Sequence, residues 1–150
     1  MAWIEGEEER IFYLEMDLDE VADFFCKPEG FTQAFTTLEK GEEIEEGVWE
    51  YTLDPISAGG ITFQGKYTVE YTREGNTLTW VSRDSGNMKS TGKTIVSKVG
   101  SRTQIEYEEK IATDLPIPRL AARIFRPIVA REVKKGINEY LDTAIEILEN

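Results

Sequence analysis

The chain of 150 residues has no histidine. This removes Ser-His-Asp and Cys-His activation of a nucleophile, histidine-based zinc sites and the commonest general base near neutral pH. Any catalysis is left to carboxylate, lysine, tyrosine or arginine chemistry. Cysteine is nearly missing as well. Cys26 stands alone, so no internal disulfide framework exists and an intracellular setting is expected. Positive charge is in deficit, with 17 Lys and Arg against 29 Asp and Glu and a net charge of -12, which disfavours nucleic-acid binding by the surface as a whole. No apolar run reaches the length of a membrane span, and residues 1–9 are acidic where a signal peptide is basic and then apolar. The expectation is a cytoplasmic protein, one domain over residues 1–150, with no metal site and no cofactor.

What the chain does have is a long helical pattern at its C-terminal end. Over residues 114–150, Ile117, Leu120, Ile124, Ile128, Val133, Ile137, Leu141, Ala144 and Leu148 recur mostly three and four positions apart, the spacing of one buried helix face. At about 1.5 Å per residue such a helix extends over roughly 45 Å, so a broad layer must cover it. Pro127 lies inside the pattern, and a kink or break is expected near Arg123 to Pro127.

The covering layer precedes it. Residues 9–16 read as a first strand. Asp17 followed by Glu20 has the form of a capping box opening a short helix over 18–25, and Pro28 starts a second that carries Phe31 and Phe35. Over residues 39–111 the period changes to two. Turn signals at Glu46-Gly47, Ser57-Ala58-Gly59-Gly60, Glu74-Gly75-Asn76, Ser85-Gly86-Asn87 and Gly100-Ser101 divide this stretch into six strands suited to antiparallel hairpins. Trp49, Tyr51 and Leu53 share a face of the third strand, Ile61, Phe63, Tyr67, Val69 and Tyr71 of the fourth, Leu78 and Trp80 of the fifth, and Thr103, Ile105, Tyr107 and Ile111 of the seventh. One sheet face is apolar and the other polar, as in an antiparallel sheet covered on one side. The fold class is therefore α+β.

The order strand, two short helices, six strands and a long C-terminal helix resembles the helix-grip superfamily of START domains, the major birch-pollen allergen and bacterial polyketide cyclases. Gly47-Val48-Trp49-Glu50-Tyr51, Gly65-Lys66-Tyr67-Thr68-Val69, Gly86-Asn87-Met88 and Leu115-Pro116-Ile117-Pro118 look most like the bacterial and archaeal polyketide cyclase or lipid-transport group. The resemblance implies a sheet of about seven strands curled around the final helix, with a cavity between them for an apolar or amphipathic small molecule such as a lipid or polyketide. Fold alone does not set the chemistry.

Three constellations are candidates for function. Trp49, Tyr51, Phe63, Tyr67, Trp80, Ile105 and Tyr107 on the sheet, with Phe125 and Ile128 on the helix, are expected to line a ligand cavity; the plainer alternative is core packing. Glu109 falls, by strict alternation, on the face of Ile105, Tyr107 and Ile111. A carboxylate there has its pKa raised by desolvation, which makes a general acid or base without histidine, with Tyr67 or Tyr107 as proton partner. Arg83, Lys98 and Arg123 are its candidate counter-charges, and a solvated strand end is the alternative. Finally, Arg119, Arg123, Arg126, Arg131, Lys134 and Lys135 face one acid, Glu132, in a window of net +5. That stretch is either a docking face for an anionic membrane or acidic partner, or a solvated helix face. Carrier, cyclase or dehydratase, and interaction module all stay open.

Overall fold

The structure is a computed structural model describing residues 2–150. Strand β1 (Ala2–Leu14) leads into helices α1 (Leu18–Phe25) and α2 (Pro28–Ala34). Then come β2 (Leu38–Glu45), β3 (Val48–Leu53), β4 (Ile56–Ala58), β5 (Ile61–Phe63), β6 (Lys66–Glu74), β7 (Thr77–Gly86), β8 (Met88–Val99) and β9 (Arg102–Leu115). One 3₁₀ turn at Arg119–Ala121 opens α3 (Ala122–Glu149). Seven strands form one antiparallel sheet in the order β1-β9-β8-β7-β6-β3-β2, while β4 and β5 pair as a separate small hairpin. This is the helix-grip arrangement expected from the sequence.

Local chemistry explains the pattern. Along β9 the residues Thr103, Ile105, Tyr107 and Glu109 are buried while their neighbours are not, the period of two of a sheet with one covered face. Turn glycines 47, 59, 60, 75, 86 and 100 have positive φ, a backbone region that side chains disfavour. Asn87 ties the β5–β6 connection to the next turn: its Oδ1 accepts from Lys66 N at 2.8 Å and its Nδ2 donates to Gln64 O at 3.0 Å. The core gathers Tyr51, Val69, Ile105 and Leu141, all fully buried, with Val133, Ile137, Tyr140 and Ala144 of α3.

Several expectations change. The acidic start of the chain is part of β1, whose Glu5 and Glu7 face outward while Ile4 and Gly6 face α3. The expected fourth strand is interrupted after Phe63, so Ile61 and Phe63 belong to the β4–β5 hairpin and Tyr67 to the main sheet. The Asp17 side chain makes no capping hydrogen bond to α1. Helix α3 starts at Ala122, because residues up to Leu115 continue β9, and it runs unbroken through Pro127. Its apolar stripe is buried only in part: Leu120 is 95% exposed and Ile124 68%. Among the described residues no helix is long and apolar enough to cross a membrane.

Candidate ligand cavity

A cavity of about 240 Å³ lies between the sheet, the β4–β5 hairpin, α2 and α3. Its wall is mainly apolar, including Phe31, Leu53, Phe63, Ile111, Phe125 and Ile128. The hairpin reaches α3 at its turn, where a Cβ placed on Gly59 would stand 2.9 Å from both Ile128 Cδ1 and Phe125 Cε1. Ile56 on the same hairpin is half exposed. The β4–β5 hairpin and the first turns of α3 therefore form one rim of the cavity. A second hollow of about 20 Å³, lined in part by Trp80, Ser90, Thr94 and Tyr107, adjoins it. That is room for one or two water molecules. Phe31, Tyr67, Glu109 and Tyr140 line both spaces.

Glu109 is the polar centre of this region. Its side chain is buried and both carboxylate oxygens accept hydrogen bonds: Oε1 from Tyr107 Oη at 2.7 Å and Oε2 from Ser90 Oγ at 2.5 Å. Ser90 Oγ in turn accepts from Trp80 Nε1 at 2.9 Å. An indole N–H only donates, so it occupies a Ser90 lone pair and leaves the hydroxyl proton for Glu109. Burial pushes the Glu109 carboxyl above its usual range, and the hydrogen bonds from Ser90 and Tyr107 pull part of the way back. Burial, and then the nearby Glu109 charge, hold the phenols of Tyr67, Tyr107 and Tyr140 protonated. The site thus combines one proton-exchanging carboxyl with phenols that act as donors.

Of the residues singled out in the sequence, Phe63, Tyr67, Glu109, Phe125 and Ile128 meet at the larger cavity, while Trp80 and Tyr107 line the smaller hollow. Trp49, Tyr51 and Ile105 line neither. Tyr51 and Ile105 are fully buried, and Tyr51 pairs its hydroxyl with that of Tyr71 at 2.8 Å. No expected counter-charge reaches Glu109: Arg83 binds Glu70 and Glu45 at the surface, and Lys98 and Arg123 are exposed. Ser90, Tyr140, Phe31 and Met88 also line these spaces, and the sequence reading did not single them out as candidates. Tyr140 was accessible to it, standing three positions after Ile137 and four before Ala144 on the buried helix face.

No family model matches the sequence, and no curated protein sequence matches it. Solved structures do. The Zhui aromatase/cyclase from a Streptomyces species superposes with a TM-score of 0.69 at 13% identity, covering 97% of this chain and 94% of that one. The shared fold is the helix grip. A START superfamily protein from Mycobacterium smegmatis matches with a TM-score of 0.64 at 11% identity, over 95% and 98% of the two chains. The norcoclaurine synthase from Thalictrum flavum, in complex with dopamine and hydroxybenzaldehyde, gives a TM-score of 0.60 at 12% identity, over 99% and 89% of the two chains.

Proposed function

We propose that this helix-grip chain is a carrier or sensor that binds a hydrophobic or amphipathic small molecule, lipid or polyketide-like, between the sheet and α3. The observation that carries the reading is the cavity of about 240 Å³ with its largely apolar wall. Apolar burial at roughly 25 cal/mol per Å² supplies most of the affinity, less the cost of ordering the ligand. The related folds support a small-molecule site, one of them having been solved with dopamine and hydroxybenzaldehyde. Residues 1–150 act as one binding unit in this reading, in a cytoplasm that keeps the buried Cys26 reduced. Native mass spectrometry tests it: the expected result is an adduct released on denaturation and absent from Ile128→Trp, whose larger side chain fills the cavity. A bare native mass, with no uptake of apolar ligands at micromolar concentration, overturns it.

A second reading is proton-transfer catalysis of the cyclase or dehydratase type. The Tyr107 hydroxyl 2.7 Å from Glu109 favours it, since a desolvated carboxyl beside a protonated phenol is acid–base machinery without histidine. Glu109 serves as the proton-exchanging group, with Tyr67 or Tyr107 as its partner. Glu109→Gln is then expected to abolish turnover of a polyketide-like substrate while retaining its binding.

We also propose that the start of α3 rests on anionic membrane. Leu120 and Ile124 present apolar side chains to solvent beside Arg119, Arg123 and Arg126, with Arg131 a little further on. An apolar wedge flanked by cations suits the interface of an acidic bilayer, next to the rim through which a ligand would pass.

A further inference from the structure

Resting on the cavity as a ligand site, we propose that its occupant is a cationic amphiphile: a primary or secondary amine on an apolar body, anchored by its ammonium group on the Glu109 carboxylate. Three observations converge on this class.

The first is how Glu109 is held. Each of its oxygens takes one hydrogen bond, from Ser90 and from Tyr107, and a carboxylate oxygen has room for another donor. Both donors, Ser90 and Tyr107, line the smaller hollow and not the larger cavity, whereas Glu109 lines both. The second is that no cation pairs with it. Among the described residues Glu109 forms no ion pair, and the charged groups lining the cavity are Asp54, Glu132 and Glu139 with Lys135. The lining as a whole is acidic. A buried carboxylate without a partner is costly, and an incoming ammonium removes that cost. The third is the surrounding aromatics: Phe31, Tyr67 and Tyr140 line the space together with Glu109, and ring faces attract a desolvated cation.

Other amphiphiles fare worse at the same point. A fatty-acid carboxylate would bring a second negative charge beside Glu109, and one of the two would have to take up a proton. An alcohol gains a single hydrogen bond. An amine arriving neutral takes the Glu109 proton onto its nitrogen lone pair, and one arriving as ammonium displaces that proton to solvent, so the pair ends ionised by either route.

The test is calorimetric titration of the purified protein with decylamine, decanol and decanoate, three head groups on one tail. The amine is expected to bind at least about tenfold more tightly than decanoate, a difference typical of one desolvated charge contact. Glu109→Gln is expected to erase that preference and keep the decanol affinity. A chain of net charge -12 also attracts amines over its surface, so the series is repeated at about 0.5 M salt, where surface attraction is screened and a buried pair is not. An amine preference that survives salt in the native protein supports the proposal even where Glu109→Gln does not fold. Equal binding of all three, an amine preference lost in salt, or one retained in Glu109→Gln overturns the amine anchor and leaves the cavity reading standing. Binding of none of the three overturns both.

Discussion

The ring of Trp80 occupies the space over Gly92, its register partner on the neighbouring strand. A Cβ at position 92 would collide with Trp80 Cζ2 and stand 2.6 Å from Glu108 O. Replacing glycine with alanine ordinarily stabilises a compatible position by about 0.4–1 kcal/mol through the unfolded chain. Here overpacking, at about 1–3 kcal/mol, wins. Gly92→Ala is expected to lower stability in urea denaturation. Because displacing Trp80 also withdraws the donor from Ser90, the same variant is expected to weaken amine binding. An unchanged midpoint and unchanged affinity would contradict this account of the relay.

The raised pKa of Glu109 makes a signed prediction about pH. Burial lifts the folded carboxyl above its ordinary 4.5, so between the unfolded and folded values the native state holds the proton that the unfolded state has lost. The stability gained from the neutral form is complete below the unfolded pKa and is lost as pH rises through the folded one. Glu109→Gln has no such dependence at this position. Its stability relative to the native protein is therefore expected to rise with pH from about 4 upward and to level once Glu109 is ionised. Urea titrations across that range measure the difference, and a flat or falling trend would refute the assignment.

Gly6 lets α3 approach β1. A Cβ there would lie 2.8 Å from Val133 Cβ, and a branched side chain on a helix has little rotamer freedom to move aside. Gly6→Ala is expected to cost about 1–3 kcal/mol by forcing the helix off the strand. Thermal unfolding that matches the native protein would show that the helix accommodates the methyl.

For the basic end of α3, replacing Arg123, Arg126 and Arg131 with glutamine is expected to weaken binding to phosphatidylserine vesicles by about 1 kcal/mol per charge at low salt. Leu120→Ser with Ile124→Ser is expected to weaken it further by removing the wedge. Vesicle flotation compares the three proteins. Equal recovery of all of them would dispose of the docking face.

Alternation made most of the sheet legible in advance. On β9 it turned Ile105, Tyr107 and Glu109 to one side, and all three are buried. The same rule missed the first half of β1, because the inward position at Gly6 carries no side chain and reads as a blank between outward glutamates. Ser90 was hidden for a related reason. A buried serine on a strand resembles a solvent position until its neighbours are known, and only the unmet donor of Trp80 and acceptor of Glu109 define its role. On the helix, periodicity over-extended the buried stripe to Leu120 and Ile124. Spacing records which residues share a face; it does not record where the covering layer ends.

That ending divides α3 in free energy. From Val129 onward the helix has buried anchors at Val133, Ile137, Leu141 and Ala144, whereas its first two turns contribute no buried side chain and meet the β4–β5 hairpin at Gly59 through Phe125 and Ile128. Amide hydrogens in those first turns are expected to exchange through local opening, far below the cost of global unfolding that protects the later turns. The rim of the cavity is thus made from the cheapest part of the helix to unfasten. In the proposed carrier a ligand is expected to come and go by fraying two turns, so that how long it stays becomes a property of that short segment rather than of the fold.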